Sequence, residues 1–91
     1  MKVYELLADP KAWIKENIAM NEKGFIVDAR HSDAVCWCLM GGVYKIYGYD
    51  GEGHVIRMKI KKVIRVDPTS WNDVPERTHE EVISLCKELD I

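Results

Sequence analysis

No apolar run in this 91-residue chain reaches the roughly 18 to 20 residues needed to cross a bilayer. The first ten residues also lack the basic start and apolar middle of a secretory signal, so a cytoplasmic location is expected. A large excess of one charge sign is missing too. Thirteen Lys and Arg against 15 Asp and Glu leave a net charge of −2, so there is no global attraction for nucleic acid or an anionic membrane, and either contact would require a local basic face. Three cysteines, an odd number without an export signal, argue against a disulfide framework and for reduced thiols. Repeats, linkers and low-complexity tracts are absent. At 10.5 kDa the chain is read as one small domain, residues 1–91, whose core only just offsets the entropy of ordering it.

What the chain does have is AVCWCLMGGVYKIY, residues 34–47, in which Lys45 is the only charged residue. Read as a helix, a segment apolar all round has to be buried, which makes it the centre of the fold. Ser32 or Asp33 is the expected cap at its start and Gly48 the left-handed residue at its end. Gly41 and Gly42 weaken a helix intrinsically, so their expected use is to let another backbone or ring approach closely.

The remaining elements follow in chain order. Val3, Leu6 and Leu7 recur at helical spacing and stop at Asp9-Pro10. A helical turn over residues 10–15 is preferred to a longer helix through Ile14 and Ile18, and is followed by a hairpin pairing residues 18–20 with 25–27 around the Asn21-Glu22-Lys23-Gly24 turn. Residues 54–65 alternate like a strand at first. Only a helix, however, puts Ile56, Ile60, Val63 and Ile64 on one face and Arg57, Lys61 and Arg65 on another. Residues 67–76, DPTSWNDVPE, read as a turn-rich connection anchored by Trp71. Thr78 with Glu81 three residues on forms a capping box for a last helix over 78–89, with Val82, Leu85, Cys86 and Leu89 as its buried stripe. The predicted fold class is therefore α+β, mainly α.

Three places invite a chemical reading. Cys36 and Cys38, with His31, His54, His79 and Cys86, are the residues a metal would use. Two residues apart on a helix, though, the first pair diverge by about 200°, so the expectation is buried thiols, no metal and no cofactor. Asn72, Asp73 and Arg77 form a polar cluster at the mouth of the last helix, where free backbone donors can meet an anion, although the capping box satisfies two of them internally. The basic face of Arg57, Lys59, Lys61, Lys62 and Arg65 is a solvated helix side or a docking surface. Tyr44, Tyr47 and Tyr49 either stack on a ligand or close the core with their hydroxyls in water.

Taken together, Ala34, Trp37-Cys38, Gly41 and Gly42 in one block and Trp71-Asn72-Asp73, Pro75, Arg77-Thr78 and Glu81-Val82 in another resemble a family of short, uncharacterised bacterial and phage proteins. That family is marked by a WC-x-x-G-A block and a WND-x-P-x-R-T block. The resemblance spans roughly residues 13–89, with Gly42 where the family more often has alanine. It implies a mainly helical fold, no established activity and no catalytic residue to carry over, and it suggests a phage or mobile-element origin.

No acid, base, nucleophile and oxyanion donor can be assembled from these residues. The leading expectation is a non-enzymatic module that binds a host or partner protein through Arg57, Lys61, Arg65, Asn72, Asp73 and Arg77. One alternative is a ligand-binding domain or enzyme with its site beside Trp71-Asn72-Asp73. The other is a nucleic-acid accessory protein using the basic face, which the acidic chain disfavours. A membrane partner is not expected.

Overall fold

The computed structural model describes residues 1–91. In order, the chain forms α1 (Val3–Leu6), a 3₁₀ turn (Pro10–Ala12), β1 (Ala19–Asn21), β2 (Ala34–Trp37), α2 (Leu39–Tyr47), α3 (Glu52–Ile64), α4 (Pro68–Asp73) and α5 (His79–Leu89). The α+β, mainly α class holds. One apolar core gathers Val3 and Leu7, the buried start of α2, Ile60 of α3 and the inner stripe of α5.

The apolar run at 34–47 is not one helix but a strand followed by a helix. β2 pairs antiparallel with β1, Ala19 opposite Trp37 and Met20 opposite Cys36, with a bulge before Asn21 faces Ala34. Cys38 continues the pairing, its N–H donating to the Ile18 carbonyl at 3.2 Å, and then caps α2: its Sγ accepts from the Gly41 N–H at 3.3 Å. Neither Ser32 nor Asp33 is the cap. The stop at Gly48 stands where expected, with φ at 89°. An all-apolar run carries no period to choose between strand and helix, which is why the division was hidden.

The glycine pair explains how α2 fits. A Cβ on Gly41 would collide with the Ile18 carbonyl, and one on Gly42 would lie 3.1 Å from Val3 Cγ1 and 3.5 Å from Leu7 Cδ1. Gly53 does the same for α3, since the Gly48 carbonyl occupies the place its Cβ would take. Both helices can therefore cross neighbouring backbone at closer range than a side chain permits.

The hairpin at 18–27 is present but minor. Asn21 N–H donates to the Phe25 carbonyl at 2.9 Å and Val27 N–H to the Ala19 carbonyl at 3.1 Å, with a single bridge between Met20 and Ile26. The main partner of β1 is β2. Residues 54–64 are helical, within α3, and Arg65 ends it as a left-handed cap with φ at 63°, yet Val63 is 47% exposed and does not share the buried side of Ile60. The connection at 67–76 holds a helix that was not foreseen. Asp67 caps α4 through Oδ2, which accepts from Thr69 N–H and Ser70 N–H, and Pro68 takes the first helical position. The Asp9-Pro10 pair uses the same device to start the 3₁₀ turn, its Oδ1 accepting from Lys11 N–H at 2.9 Å. The last helix, α5, follows its predicted course. Thr78 and Glu81 form the capping box, and Val82, Leu85, Cys86 and Leu89 are buried.

Candidate functional site

The Trp71-Asn72-Asp73 turn ends α4 and locks two distant segments to it. Asn72 is fully buried and uses all its hydrogen-bonding capacity internally. Its Oδ1 accepts from Trp13 Nε1 at 2.6 Å and from Leu39 N–H at 3.1 Å, while Nδ2 donates to the Ile14 carbonyl at 3.1 Å and to Asp73 Oδ1 at 3.0 Å. Asp73 Oδ1 also accepts from Glu16 N–H at 2.9 Å, and Lys15 Nζ donates to the carbonyls of Val74 and Pro75. Asn72 therefore has no free donor or acceptor for a ligand, because the orphan N–H at the start of α2 and the loop at 13–16 consume them.

Arg77 stacks its guanidinium 3.9 Å from the centre of the Trp71 ring. It donates through Nε to the Trp71 carbonyl and through one terminal nitrogen to Glu81 Oε2. The Glu81 carboxyl is held below its ordinary value chiefly by the Thr78 backbone N–H, with the Thr78 hydroxyl and Arg77 adding to the effect. Trp71, Arg77, Thr78, Glu80, Glu81, Ser84, Leu85 and Glu88 line an open, shallow groove rather than a deep cleft, and no thiol faces it.

The thiols serve packing. Cys36 lies on β2 with Sγ 3.7 Å from the Met20 carbonyl, Cys38 caps α2, and Cys86 is sealed in the core. Burial pushes the Cys38 thiol up, and pushes that of Cys86 up to about 12, so both are protonated at neutral pH, the form that does not attack. Since Cys36 is on a strand, the helical divergence expected of Cys36 and Cys38 does not apply. His79 is engaged as well, its Nε2 2.6 Å from the Leu7 carbonyl. Tyr44 and Tyr49 lie with ring centres 4.7 Å apart, and the Tyr49 hydroxyl beside Asp28, together with the Arg30 N–H, holds the Asp28 carboxyl below its ordinary value.

The basic stretch behaves differently. Arg57 pairs with Asp67 Oδ1 at 2.6 Å, joining α3 to the cap of α4, and Lys59 Nζ donates to the Leu89 carbonyl at 2.7 Å. Lys61, Lys62 and Arg65 are exposed and take part in none of the protein's three ion pairs. Beside them Val55 and Met58, 62% and 46% exposed, occupy the side of α3 opposite Ile60. Sequence reasoning placed the cations but missed this apolar pair. The signal was there, because Val55 and Met58 fall off the Ile56, Ile60, Ile64 stripe at 100° per residue.

Of the six site residues inferred from sequence, then, Lys61 and Arg65 share an open surface. Asn72, Asp73 and Arg77 are drawn into the internal lock, and Arg57 ties the two regions together. These features define a small, mainly helical α+β protein whose Trp71-Asn72-Asp73 turn is a structural clamp. The chain belongs to DUF6197, a family of unknown function, whose profile matches residues 2–89. No curated protein and no solved structure matches the chain.

Proposed function

We propose that this protein is a small non-enzymatic binding module that docks on another protein through the outward side of α3. A phage or mobile-element origin, with a host protein as the partner, accords with this reading. The observation that carries it is the combination on one helix side of exposed Val55 and Met58 with three cations, Lys61, Lys62 and Arg65, that have no internal ion-pair partner. A helix side that is merely solvated has no use for apolar residues at its centre. The polar turn at 71–77 supports the same reading indirectly, since its bonds are spent on holding the fold.

The test is partner capture from a host lysate with wild-type protein and with Lys61→Glu and Arg65→Glu. Charge reversal at either position should abolish capture and leave the melting temperature nearly unchanged, since exposed substitutions shift stability by no more than about 0.5 kcal/mol. Cys36→Ser and Cys38→Ser should do the opposite, lowering stability while any folded fraction keeps capture. Loss of activity in a folded cysteine variant, with the charge reversals active, would replace this reading by thiol chemistry.

A further inference from the structure

The core direction of α3 is marked by Gly53 and Ile60, both buried. On the far side Val55, Met58 and Lys62 follow one another at spacings of three and four residues, a single line along the helix. Val66, 47% exposed, follows directly after the Arg65 cap. Lys61 and Arg65 run along one flank. The cations nearer the body, Arg57 and Lys59, are already held by Asp67 and the Leu89 carbonyl. The only acidic residue of α3 is Glu52, in its first turn. The face thus carries an apolar pair with unneutralised positive charge beside it, on a 13-residue helix about 20 Å long.

Resting on the α3 docking reading above, we infer that the occupant of this face is an amphipathic helix of a partner protein, its apolar stripe flanked by Asp or Glu side chains. Helix against helix sets the partner's apolar stripe on this pair, with the charged flanks meeting outside it as flanking charges do in paired helices. Met58 is suited to such a contact, because its unbranched thioether adapts to the opposing side chains. Phosphates are a poorer match. A nucleic-acid backbone would lay charged oxygens over Val55 and Met58, and three cations release few counterions. A bilayer is a poorer match as well, since interfacial helices insert Trp, Phe or Leu, and the exposed line here carries only Val and Met.

The experiment is a titration of ¹⁵N-labelled full-length protein, followed by amide shifts, with a synthetic helical peptide of about four turns carrying a leucine stripe flanked by glutamates. Its mirror, with lysines for glutamates, is a second probe. Phosphatidylglycerol vesicles and a DNA duplex are the third and fourth. The acidic peptide should shift amides of residues 55–66 and bind at least about tenfold more tightly than the mirror. Its affinity should also fall by about tenfold or more in Lys61→Glu/Lys62→Glu and in Met58→Asp. The inference is overturned if the acidic peptide leaves these amides unmoved, if the mirror binds equally well, or if only vesicles or DNA perturb α3. Lysate capture with Met58→Asp separates the two levels. Capture lost in a folded Met58→Asp, with the acidic peptide inactive, overturns the acidic-helix inference and leaves α3 as the docking face. Capture unchanged in that variant removes the docking reading itself.

Discussion

Replacing Asn72 by alanine removes an acceptor used by Trp13 Nε1 and Leu39 N–H and a donor used by the Ile14 carbonyl. Leu39 is fully buried and its N–H stands at the first position of α2, so no neighbouring turn can satisfy it. Trp13 is half-buried, and water can reach part of what it loses. Counting two orphaned backbone groups at about 1 to 3 kcal/mol each, and a smaller loss at the indole, gives about 2 to 7 kcal/mol. A chain of 91 residues has about 5 to 14 kcal/mol of total stability at ordinary values per residue. The substitution therefore takes a large share of it. Urea unfolding followed by far-UV circular dichroism should show the midpoint falling steeply, or no folded baseline at all. Asn72→Asp provides a sharper test. It keeps the acceptors but loses the donor and sets a second carboxylate beside Asp73 Oδ1, now 3.0 Å from Nδ2. Burial and a like charge raise a carboxyl's pKa in the folded state above its unfolded value, so this variant should lose stability as pH rises. An Asn72→Ala protein that unfolds at the wild-type midpoint would refute the clamp.

Gly41→Ala should destabilise by about 1 to 3 kcal/mol or more, since the new methyl meets the Ile18 backbone, and Gly42→Ala by less, since Val3 and Leu7 side chains can yield. A rise in melting temperature for both would show that the pair faces open space. Thr78→Ala should cost about 1 kcal/mol at neutral pH through the lost cap. Thr78→Ala keeps the backbone N–H that chiefly holds the Glu81 carboxyl below its ordinary 4.5 and removes only the hydroxyl's bond to it; that smaller contribution is complete above 4.5 and is lost as pH falls. The difference between wild type and Thr78→Ala should therefore narrow in acid, which melts across a pH series would check. Glu16 sits at φ 73°, a left-handed conformation that costs a side chain about 1 kcal/mol or more. Glu16→Gly should raise the urea midpoint, and a fall would mean that the Glu16 side chain contributes more than the strain costs.

The elements legible in the sequence are those whose signals are local. The capping box of Thr78 and Glu81, the Gly48 stop and the helical period of residues 54–65 each act within a turn or two of chain, where backbone donors and side-chain acceptors are neighbours in any fold. Asp67-Pro68 carried an equally local signal for α4, of the kind that starts the 3₁₀ turn at Asp9-Pro10. The basic face was legible for the same reason, since charge at helical spacing marks a solvent side whatever lies beneath it. Other features waited on partners far along the chain. The split of residues 34–47 depends on Ala19–Asn21 lying alongside, because only a neighbouring strand can turn an apolar run without period into β2. Asn72 looked like a ligand for something outside, and became a clamp because Trp13, Ile14 and Leu39 arrive from 33 to 59 positions away. Which polar groups remain free to bind is a property of what is left unsatisfied after folding, and that sum is closed only in three dimensions.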